Sequence, residues 1–368
     1  MKELYPLRFE ETYVEKIWGG RNLESILGKV LPPGCLIGES WEIWLENQAR
    51  NGLYKGWTLE TLARKVGPSL TGSRGRINPK RPFPLLAKFI DAQDILSIQV
   101  HPDDEYARKR DGEPWGKTEA WYIIHAEPGA KLIHGFRDKL TRAELKSLIE
   151  EGHIAEFLYE LEVKPGDVIF IPAGTVHALK KGILLFEIQQ CSDMTYRIFD
   201  WNRLNVDGKP RPLHIEKALD VARLDPWKEH KVPGLACEEE GNRKTCLIAC
   251  RYFALELWEL GKEMRAEGKG LTFQIYSLLE GKITVKYGPG LAQAIEVEKG
   301  QSFLIPAGLG LYVLCPEEGL PCLLRAYIPD LWHDVVYPLR KKGFGLEEIV
   351  RLGGDAPYND LTSLLQNL

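Results

Sequence analysis

The segment Val163-Lys-Pro-Gly-Asp-Val-Ile-Phe-Ile-Pro-Ala-Gly174 returns as Val297-Glu-Lys-Gly-Gln-Ser-Phe-Leu-Ile-Pro-Ala-Gly308, with six of twelve positions identical. A second echo pairs Thr118-Glu-Ala-Trp-Tyr-Ile-Ile with Thr272-Phe-Gln-Ile-Tyr-Ser-Leu, each followed by a turn containing glycine. Strand, Gly turn, strand and Pro-Ala-Gly is common β grammar, so either echo alone would say little. Two echoes in the same order indicate two related β units, one after the other.

The rest of the chain agrees. Its 23 prolines and 35 glycines cut the 368 residues into short apolar runs, which favours short strands over long helices. Strands are predicted at Leu85–Ile90, Leu96–Val100, Ala120–His125, Leu161–Val163, Val168–Ile171 and Leu184–Gln189. The clearest helix is Thr141 to Glu151, where Thr141 and Glu144 form a capping box and Gly152 supplies the stop. Thr58–Val66, Asp103–Lys109, Ile215–Leu224 and the tail from Leu361 are weaker helical segments. The polar stretch Glu229–Asn242, with Pro233 and Gly234, reads as a linker between the units.

Charge excludes some functions. With 52 acidic against 48 basic residues, the net charge of −4 offers no large positive field to attract nucleic acid or an anionic membrane. Seven scattered cysteines match neither a disulfide framework nor a paired zinc-binding pattern, so reduced thiols in a cytosol are expected. The first residues carry acids and prolines where a secretory signal needs an apolar run, and no stretch has the length of a membrane span. A cytoplasmic, unanchored protein is the expectation.

Four polar residues then stand out. Gln99 and His101 lie two apart in Ser97-Ile-Gln-Val-His-Pro102, so on a strand both point to one side while Ile98 and Val100 point to the other. Glu119 opens another strand, and His177 follows the Pro172-Ala-Gly-Thr-Val turn. Taken singly, a histidine is more often a hydrogen-bonded structural residue than a ligand. A closed barrel, however, brings all four into its mouth. Two imidazoles and a carboxylate suit zinc or another borderline divalent ion, with positions left for water or substrate. The echo provides a control: Glu119 has Phe273 as its counterpart, and His177 has Leu311, so the second unit lacks these ligands. Downstream, strand alternation turns Glu187 toward the same interior, where a carboxylate would serve as a base. Arg197 and Arg203 offer planar donors for an anionic group, or belong to a surface ion-pair network.

The separated motifs Trp18-Gly-Gly20, Ile37-Gly-Glu-Ser-Trp-Glu42, Pro84-Leu-Leu-Ala-Lys-Phe-Ile-Asp-Ala92, Leu96-Ser-Ile-Gln-Val-His-Pro102, Gly116-Lys-Thr-Glu119, Pro172-Ala-Gly-Thr-Val-His-Ala178 and Ser192-Asp-Met-Thr-Tyr-Arg197 resemble those of the type I phosphomannose isomerases of the cupin superfamily. The resemblance is strong over residues 10 to 205 and looser beyond. It implies a mainly β fold of two cupin-type jelly-roll barrels in tandem with a small helical annex. The implied domains are a catalytic one over 1–228, with helical segments near 53–75, 103–110 and 141–152, and a metal-free one over 229–368. It further implies that Gln99, His101, Glu119 and His177 hold one divalent metal, usually zinc. Arg197 falls on the family's active-site arginine, Lys88 and Lys117 on its pocket lysines, and Glu187 on its proton-transferring carboxylate.

The implied reaction interconverts mannose 6-phosphate and fructose 6-phosphate through a cis-enediol. Glu187 and Lys117 both stand as the base, and Lys88, Ser97 and Arg203 as phosphate contacts. The chain departs from the family in having Gly116 where some members have a histidine, and in lacking the long helical insertion between Glu119 and His177. A small-molecule sugar phosphate is the implied partner, with a monomer or homodimer as the assembly. The rival readings are another cupin metalloenzyme, such as a different sugar-phosphate isomerase or an oxygenase, and a sugar-binding cupin without catalysis.

Overall fold

Short apolar runs became strands wherever both of their faces found cover. Leu85–Ala92 and Ile183–Gln190 lie side by side, antiparallel, and are buried along their whole length. That two-sided burial explains why they read as nearly continuous apolar runs with no exposed polar face. The computed structural model describes residues 4–75, 78–204, 208–355 and 359–366.

Three sheets are present among these residues. The first has the order Thr12–Gly20, Ile37–Ile43, Leu85–Ala92, Ile183–Gln190, Glu119–Ala126, Val168–Ile171. The second runs Tyr196–Phe199, Ile98–Val100, His177–Leu179, Lys131–Phe136, Leu158–Glu162. They face each other: Ile90, Trp121 and Leu185 of the first share a core with Leu132, Leu161 and Leu179 of the second. Two antiparallel sheets closed over one core make a jelly-roll barrel.

The helical annex seals the outer side of the second sheet. Leu145 and Ile149 on helix Arg142–Glu150, with Ala218 and Leu219 on helix Ile215–Val221, cover Val100, Ile133, Ala178 and Ile198. The expected capping box is formed, with Glu144 N–H donating to Thr141 Oγ1 at 3.2 Å and Thr141 N–H donating to Glu144 Oε2 at 2.7 Å. Helix Leu59–Val66 and the tail helix Asp360–Gln366 also form, while the predicted Asp103–Lys109 helix is a single turn, Asp104–Tyr106, running into a wider turn, Ala107–Asp111.

The third sheet has nine strands and closes a second barrel. Its strand Gly310–Tyr327 pairs with Met264–Gly268 through one half and with Ala254–Glu259 through the other, so the sheet curls back on itself. The barrels meet over a shared core in which Ala87, Phe89 and Phe186 face Phe253 and Phe273, and the Phe83 and Phe273 ring centroids lie 4.4 Å apart. The molecule is therefore mainly β, as expected. The proposed division at 228/229 is crossed by strand Leu7–Arg8, which pairs with Ser302–Ile305 of the second barrel.

Two expectations are corrected. The supposed linker Glu229–Asn242 contains an edge strand, Leu235–Glu239, paired with Asn242–Ala249. Its turn uses positive φ at Glu240 (52°) and Gly241 (83°), and only one face of the strand is covered, so its sequence looked like solvated loop. The second correction is one of register. Glu119 pairs with Ile171, whereas it is Gln274 that pairs with Ile305, so the structural counterpart of Glu119 is Gln274 and not Phe273. A single-residue slip exchanges the two faces of a strand, which is why Phe273 lies in the inter-barrel core. Leu311, the expected counterpart of His177, is 48% exposed, and the adjacent Tyr312 points inward.

Candidate metal centre and active-site cavity

The first barrel delivers the four predicted residues to one place by strand pairing. Gln99 lies on Ile98–Val100 directly opposite His177, and Ile98 and Val100 are buried on the other side, as the alternation required. Glu119 begins its strand between Ile171 and Gln189. The Pro172–Gly174 turn joins the remaining pair, since Gly174 N–H donates to the His101 carbonyl at 2.9 Å. Gly174 has φ +89°, and a Cβ there would lie 2.9 Å from the Val221 carbonyl, so the turn requires glycine.

Both imidazoles are oriented from behind. His101 Nδ1 lies 2.7 Å from the Met194 carbonyl and His177 Nδ1 lies 2.9 Å from the Thr175 carbonyl. Carbonyls only accept, so each Nδ1 carries the hydrogen and each Nε2 lone pair faces the interior, the arrangement that metal-bound histidines use. Burial, reinforced for His101 by the Lys117 charge, pushes both pKa values down, His177 to about 3, and keeps the rings neutral.

Glu119 Oε1 is 3.3 Å from His177 Nε2 and Oε2 is 3.5 Å from His101 Nε2, with all three side chains buried. Two ligands of a tetrahedral zinc, each about 2.1 Å from the ion, are separated by about 3.4 Å. Glu119 Oε1 has no hydrogen-bond donor among the described residues. Burial, then the nearby Glu187 charge, raises the Glu119 pKa, and the neighbouring lysine charges offset this only in part. The cation beside it is the Lys117 ammonium, 2.7 Å from Glu119 Oε2 and 3.1 Å from His101 Nε2. The donor set therefore fits a divalent ion. Gln99 joins it through its amide, whose Nε2 is 3.2 Å from His177 Nε2; a half-turn of that amide presents its oxygen instead.

Above the cluster opens a cavity of about 400 Å³, of small-molecule size. Gln99, His177, Lys117, Lys88, Glu187, Ser97 and Arg197 all line it, and His101 and Glu119 lie beneath. Lys88 Nζ bridges Glu187 Oε1 at 2.9 Å and Glu39 Oε2 at 3.5 Å, while Trp121 Nε1 donates to Glu187 Oε2 at 2.7 Å. Burial opposes ionisation of Glu187, but Lys88 and Lys117 outweigh it and hold the pKa below the usual carboxylate value. Arg197 Nε donates to Ser97 Oγ at 3.3 Å. Burial, then the charge of Arg211, lowers the Arg197 pKa, as expected where cations crowd together. Five cations (Lys16, Lys88, Lys117, Arg197, Arg211) face three carboxylates (Glu39, Glu187, Asp193) around the cavity, a local excess hidden by the acidic whole-chain balance.

Arg203 is not brought to the cavity. It is held by Asp200 at 2.9 Å and by the Ile95 carbonyl, so it braces the loop instead. Arg211, which sequence reading passed over, takes the cavity wall, with Nε bonded to Asp200 Oδ2 at 2.8 Å. His214 and Gln189 were also missed. Alternation with Glu187 could have found Gln189, whose buried Oε1 has no partner among the described residues. Nothing local marked Arg211 or His214, which arrive by a loop. At Gly116, a Cβ would lie 2.4 Å from the Pro102 carbonyl, so the backbone contact excludes any side chain there.

Comparison with known proteins gives consistent results. Residues 7–126 match the family model for the phosphomannose isomerase type I catalytic domain, and residues 242–315 match that for the mannose-6-phosphate isomerase cupin domain. The chain is 38% identical over 317 residues to mannose-6-phosphate isomerase ManA of Bacillus subtilis, covering 84% of this chain and 95% of that protein. It is 35% identical to the mannose-6-phosphate isomerase of Streptococcus mutans, over 82% of this chain and 92% of the other. The crystal structure of the Bacillus subtilis mannose 6-phosphate isomerase superposes with a TM-score of 0.78 at 33% identity, over 87% of this chain and 99% of that one.

Proposed function

Because the chain belongs to the type I phosphomannose isomerase family, we propose that it interconverts mannose 6-phosphate and fructose 6-phosphate through a cis-enediol, using a divalent ion, zinc foremost, held by Gln99, His101, Glu119 and His177. The observation that carries this reading is the convergence of two neutral Nε2 lone pairs and a buried carboxylate within 4.8 Å, beneath a cavity rich in cations. When bound, such an ion supplies Lewis-acid polarisation of substrate oxygens.

The chain's own residues divide the remaining work. The cationic rim of Arg197 and Arg211 attracts an anionic sugar, and the Ser97 bond fixes the Arg197 guanidinium for donation to oxygens on which charge develops. Lys88 is secured between Glu39 and Glu187 and offers further donors to the substrate. Moving the proton between carbons 1 and 2 needs an unprotonated acceptor. Glu187 is kept ionised by Lys88, whereas the Lys117 ammonium stands against Glu119 and His101, so this geometry favours Glu187 as the base. Trp121 and Lys88 together hold the Glu187 carboxylate in one orientation.

The test is a coupled assay for fructose 6-phosphate formed from mannose 6-phosphate, with and without chelator, alongside metal analysis of the purified protein. Turnover that stops with chelator and returns with added zinc supports the reading. Chelator-resistant turnover would remove the metal from it, and absence of turnover in zinc-loaded protein would overturn the activity.

A further inference from the structure

The second barrel carries a charge-inverted copy of the buried triad that lines the first. In the first barrel Lys88 sits between Glu39 and Glu187, at ladder positions where it pairs with Trp41 on one side and Glu187 on the other. In the second, Glu256 occupies the Lys88 position, paired with Cys246 and Arg325, and both ladders have a register shift at the same place. Glu256 Oε1 lies 2.9 Å from Lys244 Nζ and Oε2 lies 3.1 Å from Arg325 Nη1. Carboxylate, ammonium, carboxylate has become ammonium, carboxylate, guanidinium.

Above this triad lies a pocket of about 300 Å³ whose inner wall includes Lys244, Glu256, Gln274, Arg325 and Tyr327. Its acceptors are already used. Glu256 accepts from Lys244, Tyr327 Oη, Trp258 Nε1 and Arg325 Nη1. Gln274, the counterpart of Glu119, accepts through Oε1 from Tyr276 Oη, Tyr312 Oη and Arg325 Nε, each at 2.8 Å. Arg325 Nε can only donate, so the amide cannot be turned the other way. Gln274 is 6% exposed, and its Nε2 has no partner among the described residues. Arg325 Nη2 is likewise without a protein acceptor among them, and Lys244 Nζ has protons to spare beyond its bond to Glu256. The remaining charges stand at the rim, where Asp334 is engaged by Arg74, while Glu267 and Lys269 are exposed.

We propose that this pocket binds a small oxyanion, a phosphate or carboxylate group of a metabolite, through Gln274 Nε2, Arg325 Nη2 and Lys244 Nζ. A wall that presents donors only and has saturated its own acceptors is complementary to a group that only accepts. It is not a second metal site, because an amide and a tyrosine, Gln274 and Tyr312, stand where the first barrel has Glu119 and His177.

The test is calorimetric titration of the full-length protein at low ionic strength with inorganic phosphate, mannose 6-phosphate and malonate, in an Arg197→Ala background that weakens anion binding in the first barrel. One saturable site per chain is expected for at least one of the three, and which of them binds separates phosphate from carboxylate. Gln274→Glu keeps the oxygen that Tyr276, Tyr312 and Arg325 require but replaces the free donor with an acceptor, so it should weaken binding at least about ten-fold. Lys244→Met should act in the same direction and stands in if Gln274→Glu does not fold. Absence of saturable binding below about 10 mM for all three anions, or equal affinity in both variants, overturns the proposal.

Discussion

Replacing Glu187 by Gln removes one charge from an enclosed ion pair while changing the side-chain shape very little. Lys88 Nζ then loses a partner at 2.9 Å but retains Glu39 at 3.5 Å, and the amide oxygen can still accept from Trp121 Nε1. Breaking a buried pair outright costs roughly 3 to 5 kcal/mol, and the surviving Glu39 contact should bring the stability loss to about 1 to 3 kcal/mol. The effect on turnover is separate. A missing general base costs about 100- to 10,000-fold in rate, equivalent to about 3 to 5 kcal/mol of transition-state stabilisation. The expected result is a folded protein with unchanged metal content, a KM for mannose 6-phosphate that moves much less than kcat, and kcat reduced by at least about 100-fold in the coupled assay. Lys117→Met provides the comparison. A kcat for Glu187→Gln within about ten-fold of the parent, with collapse in Lys117→Met, would show that Glu187 is structural and that the proton moves through Lys117.

Arg197→Ala should abolish most turnover and leave one metal per chain, whereas His101→Ala should lose metal as well; full zinc occupancy in His101→Ala would refute the ligand assignment. Phe273→Ala empties a fully buried site against Phe83 and should cost roughly 3 to 5 kcal/mol in denaturant unfolding, with kcat per folded molecule retained. Glu256 supplies a pH test: burial pushes its pKa up, but Lys244 and Arg325 outweigh this and hold it at about 2, against 4.5 for the free side chain. A folded-state pKa below the unfolded one stabilises above about pH 4.5, and that contribution, roughly 3 kcal/mol, is lost as the pH falls toward 2. Stability measured between pH 7 and pH 3 should therefore fall less steeply in Glu256→Gln than in the parent, and parallel curves would contradict the ion-pair account.

Local patterning determined a good part of this protein. Alternation at Gln99 and His101 stated which side chains share a face, the Thr141 and Glu144 capping box marked a helix start that forms as read, and the repeated Pro-Ala-Gly segments announced two β units. These features rest on contacts within a few residues, which a linear pattern records. No helix among the described residues is long and apolar enough to cross a membrane, in keeping with the short runs, although this does not speak to membrane β-barrels.

Tertiary structure decided what depends on register and on long-range closure. The echo aligned Glu119 with Phe273, but the hydrogen-bond ladder places Gln274 there, because strand register is set by the partner strand and not by sequence similarity. Arg203 and Arg211 are equally basic, only eight positions apart and both bonded to Asp200, yet the loop geometry ties the first to the Ile95 carbonyl as well and leaves only the second on the cavity wall. The Lys88 and Glu256 triads have the same cause: each joins residues from three strands, one of them distant in sequence from the central residue, and the opposite charges at matching positions become visible only when the two barrels close.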